Sequence, residues 1–125
     1  MDLISTASKD RLARLHGEAA TELENLERAL DDVPIPVDLL QLTDRYVDFS
    51  LRGAEWQISN AMTPVEKACI DYCEQFMSSV ASIEDAQVAA LREHLSPDQV
   101  YLYANAVYLI EMSKRLDLTL EAVLP

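Results

Sequence analysis

The sequence predicts an all-α protein, and three observations carry that reading. Thr63-Pro64-Val65-Glu66 and Ser96-Pro97-Asp98-Gln99 each place a hydroxyl at a helix N-cap and proline at the first helical position. Each also has an acid or amide three residues after the cap, able to reach back to it. Gly17 and Gly53 are the only two glycines in 125 residues, too few for Gly-rich phosphate loops or for the tight turns of an all-β fold. Apolar residues recur at steps of three and four, in a chain rich in the strong helix formers Ala, Leu and Glu.

Taken in order, the first helix is predicted over residues 8–30, where Leu12, Leu15, Ala19, Leu23, Leu26 and Leu30 share one face. Glu18, Glu22, Glu24 and Glu27 fall on the other face, and Gly17 weakens the pattern locally. Pro34 and Pro36 then end the helix, because the residue before a proline is pushed out of helical geometry. A second helix follows over 37–52, burying Leu39, Leu40, Thr43, Val47 and Leu51, and Gly53 interrupts it. Residues 54–59 can form a short helix with Trp56 and Ile58 inward. The next helix spans 64–80 with the stripe Val65, Cys69, Tyr72, Phe76 and Val80. Ser82-Ile83-Glu84-Asp85 opens another over 83–94, and a last long helix covers 97–116. That last helix is apolar nearly all round, so it is expected to be buried on several sides. A domain this small covers such a helix with difficulty, and subunit contacts would complete the job. The segment 118–124 is again apolar and is expected to dock on a neighbour.

Composition bounds the function. The formal net charge is −12, which opposes binding to nucleic acid and to anionic membrane surfaces. The length fits one domain spanning residues 1–125. No apolar run has transmembrane length, and the first residues lack the basic start and apolar stretch of a signal peptide. The expected location is therefore cytoplasmic, with Cys69 and Cys73 as reduced thiols.

Three stretches resemble the carboxymuconolactone decarboxylase family, which includes the alkylhydroperoxidase AhpD-like proteins. MTPVEKACIDYCEQF (62–76) is similar to a family helix start and the helix after it; ALREHLSPDQV (90–100) is the closest match. The apolar helix ending in Ser113-Lys114-Arg115-Leu116 resembles a family ending in Asn-Arg plus an apolar residue. Upstream, LRGAEWQIS (51–59) is similar to the turn before the family's active-site helix. The resemblance implies a compact AhpD-like multi-helix bundle that forms dimers, trimers or hexamers. It divides the chain into an N-terminal helix and linker, 1–36, and a family-like core, 37–125.

The same resemblance exposes what this chain lacks. Peroxidase members use a Cys-x-x-Cys pair, a histidine just after it and a glutamate about three turns before it. Those positions fall on Ala54, Gln57, the neighbourhood of Ala61, and Leu42. Decarboxylase-type members use a histidine in the same region, and none lies between His16 and His94. A helix that members usually carry before Met62 is also missing. The expectation is a divergent member without the usual catalytic residues, serving as a small-molecule-binding or protein-interaction module.

Candidate chemistry remains at two places. Cys69 and Cys73 stand one helical turn apart and are candidates for a displaced, thiol-dependent peroxidase pair. Helical i, i+4 spacing suits a disulfide poorly, and Cys69 lies on the apolar stripe, so buried structural cysteines are the simpler account. Glu55 is a candidate general base for acid–base chemistry on a lactone-like substrate, beside Trp56 and Tyr72 as ligand-binding residues. A surface carboxylate next to a core tryptophan explains the same residues. Tyr101 and Tyr108, seven apart on the last long helix, are candidates to line a ligand pocket or a subunit interface. No cofactor is expected, and His16 and His94 lack the further ligands that a metal site needs.

Overall fold

A computed structural model describes residues 1–54 and 62–123. The described residues form six α-helices and a short 3₁₀ turn: α1 (Thr6–Leu15), α2 (Gly17–Asp31), α3 (Val37–Leu51), α4 (Pro64–Ser78), the turn Val80–Ser82, α5 (Asp85–Arg92) and α6 (Pro97–Val123). No strand occurs among them. The long helix α6 packs on α1, α3 and α5, while α4 lies between α3 and α5.

The capped starts form as their residues dictate. Thr63 Oγ1 accepts the Glu66 N–H at 3.3 Å, and the Glu66 carboxylate accepts the Thr63 N–H at 2.9 Å. Ser96 and Gln99 repeat the exchange at 3.2 and 2.9 Å. Two of the orphan N–H groups at each helix start are thereby satisfied. The start of α5 lies two residues later than Ser82-Ile83 suggests: Glu84 donates its N–H to the Gln87 side chain at 2.9 Å. Gly53, at φ 75°, closes α3 in the left-handed region that suits glycine.

Four expectations are corrected. The first predicted helix is two helices, broken at His16, whose backbone leaves helical geometry and whose Nδ1 accepts the Ala19 N–H at 3.0 Å. The break turns the chain back as a hairpin in which Leu12 and Leu23 are buried, while Leu15 points to solvent. Glu27 was expected on the solvent face but is 6% exposed. Its carboxylate accepts the Leu3 N–H at 2.7 Å and pairs with Lys9 at 3.1 Å, so burial is compensated. Val80, expected on the inner stripe of α4, is exposed, because α4 ends at Ser78 and the 3₁₀ turn follows. Finally, α6 runs on to Val123 and absorbs most of the segment 118–124, with Leu120 buried. Nothing between Leu116 and Val123 is glycine or proline, so nothing stops it.

The segment before α1 is held at several points, with the Met1 ammonium on the Asp31 carboxylate and Asp2 on Lys9. Besides the Leu3 amide on Glu27, Ser5 donates its N–H and hydroxyl to the buried Asp117 carboxylate on α6 at 3.3 and 3.1 Å. Burial alone would lower the Lys9 pKa, but its bonds to Asp2 and Glu27 outweigh that effect and raise it. Glu27→Ala removes the acceptor for Leu3 and one of the two carboxylate partners of Lys9. The expected cost in urea unfolding is about 2–3 kcal/mol, and about 1 kcal/mol for Glu27→Gln, which keeps an acceptor oxygen. Equal and negligible effects of the two substitutions would contradict this role.

Candidate functional site

Cys69 and Cys73 sit one turn apart on α4, both fully buried and both free thiols. They face α3 and α6, where Thr43 and Tyr103 are also fully buried. Thr43 Oγ1 lies 2.8 Å from the Leu39 carbonyl and 2.7 Å from Tyr103 Oη, and Cys73 Sγ lies 3.3 Å from that same Oη.

The hydrogens can be assigned from chemistry. A carbonyl only accepts, so the single Thr43 hydroxyl proton goes to Leu39. Tyr103 Oη has three neighbours for its one proton, Thr43 Oγ1, Cys73 Sγ and the Cys69 carbonyl at 3.5 Å; with that proton on Thr43, the shortest contact, the Tyr103 oxygen accepts from the Cys73 S–H. The result is a directed chain, Cys73 to Tyr103 to Thr43 to the Leu39 carbonyl, in which every proton has an acceptor. In that arrangement Cys73 is a neutral thiol.

Electrostatics points the same way. Burial pushes the Cys73 thiol up to about 12, against smaller downward effects of Tyr103 and Thr43. Burial likewise pushes Cys69 up to about 11. Burial also raises Tyr103 well above its ordinary range, with the neighbouring sulfurs adding to the effect. A nucleophilic cysteine needs thiolate, exposure and a positive neighbour. These two thiols have none of the three in this structure.

The other sequence candidates do not converge on one place. Tyr72 is buried in the core, its ring 5.9 Å from that of Tyr103 and 6.3 Å from that of Phe76. Tyr101 and Tyr108 are 70% and 55% exposed on the opposite side of α6. Glu55 and Trp56 lie outside the described residues, as do Gln57 and Ala61. Of the remaining positions where the resembled family keeps its reactive groups, Ala54 is exposed and Leu42 is buried.

Sequence reasoning missed a charged cleft of about 340 Å³ between α3, α6 and the N-terminal segment. In it Lys114 pairs with Asp44 at 3.0 Å, and Arg52 pairs with Asp48 at 3.1 Å and Glu121 at 3.4 Å. Burial raises the Asp44 pKa, opposed by Lys114. These mutual ion pairs tie α3 to α6 and make a poor ligand site, since ligand pockets are mostly apolar with few polar groups. Among the described residues no group of three or more His, Cys, Asp or Glu could hold a metal ion, and no helix is long and apolar enough to cross a membrane. No family model, curated protein or solved structure matches the chain.

Two measurements test the buried chain. At pH 8 a thiol of pKa about 11 holds about 100-fold less thiolate than one near 9, so a thiol reagent should leave both cysteines unmodified until denaturant is added. Fast stoichiometric labelling of the folded protein would contradict the burial. The folded-state thiol pKa values lie above the ordinary 9.0, so this stability is intact below about pH 9 and is lost as pH rises toward 11 and 12. Tyr103→Phe, which leaves Thr43 without its donor and Cys73 without its acceptor, should cost about 1–2 kcal/mol in chemical unfolding; a neutral effect would show that the hydrogen-bonded chain contributes nothing.

Proposed function

We propose that this chain is a divergent carboxymuconolactone decarboxylase/AhpD-like protein, without the usual catalytic residues, that acts through its surface as a protein-interaction module. One observation carries the interaction reading: among the described residues, the apolar side chains of α6 fall on a buried inner face and an exposed outer one. Tyr103, Ala106, Val107 and Ile110 are buried inward, whereas Tyr101, Tyr108 and Met112 lie exposed outward. Surface aromatics and methionine grouped on one helix face are the side chains enriched where proteins meet.

The family reading rests on the capped helices and on the stretches 62–76 and 90–100. The non-enzymatic reading is supported by the positions Ala54 and Leu42, which offer no reactive group, and by two thiols fully buried in the core, Cys73 in contact with the Tyr103 hydroxyl. A small-molecule role draws less support, because Tyr72 and the pair Tyr101 and Tyr108 lie in separate environments.

The test combines two assays on the whole chain. Hydroperoxide consumption should show no dependence on the protein, and small aromatic acids and acyl compounds should leave its melting temperature unchanged. Thiol-dependent turnover that disappears in Cys69→Ser or Cys73→Ser, or a saturable thermal shift, would overturn the proposal.

A further inference from the structure

The sulfur of this chain lies in two cysteines and four methionines. All of them are among the described residues, and they divide by exposure. Cys69 and Cys73 are fully buried. Met1, Met62 and Met77 are partly buried, packed against the core. Met112 is the exposed one, at 42%. It stands mid-way along the outer face of α6, four residues after Tyr108 and three before Arg115, both exposed. Residues three and four apart are neighbours on a helix surface.

Chemistry separates the two kinds of sulfur. A cysteine reacts with peroxide as its thiolate, and burial holds Cys69 and Cys73 as thiols at neutral pH. A thioether has no proton to lose, so access governs its oxidation. The sulfur a peroxide reaches first is therefore Met112. Among the exposed side chains from Tyr101 to Thr119, that of Met112 is the only one without oxygen or nitrogen. Oxidation makes this flexible apolar group polar and chiral. Its new oxygen would be costly to bury unpaired beneath a partner, and Arg115, one turn away, is already engaged by Glu111.

Resting on the interaction reading above, we propose that Met112 is a redox-sensitive modification site: a hydroperoxide converts its thioether to the sulfoxide, and the α6 outer face thereby closes to its partner. The sulfur attacks the terminal oxygen of the hydroperoxide. An S–O bond forms as the O–O bond breaks, and the proton of the transferred oxygen passes to the departing one, which leaves as water or an alcohol. Sulfur loses two electrons and the peroxide gains them. One equivalent is consumed per chain, without turnover, and methionine sulfoxide reductases restore the thioether. A docked partner covers Met112, so docking protects the sulfur and oxidation opposes docking, as linkage requires.

Treatment of the full chain with excess hydrogen peroxide at neutral pH, followed by peptide mass spectrometry, tests the site. Met112 should gain one oxygen about tenfold faster than Met1, Met62 or Met77, with both cysteines unmodified. Retention of the folded protein on a phenyl matrix tests the consequence. Peroxide should shorten the retention of the unsubstituted chain and leave that of Met112→Leu unchanged. Untreated Met112→Gln, polar and of similar length, should elute with the oxidised protein. Helix content should stay the same throughout, since residue 112 is exposed. Another sulfur oxidised as fast as Met112, unchanged retention once Met112 is fully oxidised, or an equal peroxide effect in Met112→Leu would each overturn the inference. Peroxide turnover that needs Cys69 or Cys73 would instead remove the interaction reading beneath it. Such turnover would persist in Met112→Leu, so the two failures are distinguishable.

Discussion

The rest of this structure depends on the thiol of Cys73, buried at the centre of the core. It begins the chain that passes through Tyr103 and Thr43 to the Leu39 carbonyl, and so it ties α4 to α6 and α6 to α3 at the centre of the core. An apolar core specifies volume, but a fully satisfied buried polar chain also specifies register. If α6 slid by one residue, Tyr103 would lose both partners in a place where water cannot replace them. Burial decides the chemistry of the thiols, since a cysteine kept neutral inside the core is not a nucleophile.

That central knot leaves the rest of α6 to two further duties. Toward the N-terminal segment and α3, Asp117 receives Ser5 and Lys114 pairs with Asp44, so the helix's polar groups hold its neighbours in place. Toward solvent, Tyr101, Tyr108 and Met112 remain uncovered in the single chain. One helix therefore serves as core and anchor at once, and its third side supplies the surface on which the proposed function depends.

Much of this was legible in the sequence, and the limits have physical causes. The starts at Thr63 and Ser96 could be read because a cap is settled by four consecutive residues. Cys69 and Tyr72 could be placed in the core because the α4 stripe is local. The break at His16 could not be read, since the spacing from Leu12 through Ala19 to Leu23 continues across it and histidine is not among the residues that usually cap a helix start. Glu27 looked solvent-facing because its partners, the Leu3 amide and Lys9, lie 24 and 18 residues away. Lys114 and Arg115 resembled a basic helix end, yet they pair with Asp44 and Glu111 in mid-helix. For the candidate site, Thr43 was the available clue: a hydroxyl on an otherwise apolar face of α3 demands a partner. Its partner Tyr103 is 60 residues away, beyond the reach of local pattern.

The claim on which this account turns is that both core thiols are protonated, with Cys73 as the donor to Tyr103. The S–H stretching band in the Raman spectrum of the folded protein measures that state directly, without a reagent that must first gain access. The account predicts a band for both cysteines at neutral pH, shifted as expected for a hydrogen-bonded donor at Cys73 and retained up to about pH 10. Loss of either band below pH 9 in the folded protein would contradict it and return the thiols to the list of reactive groups.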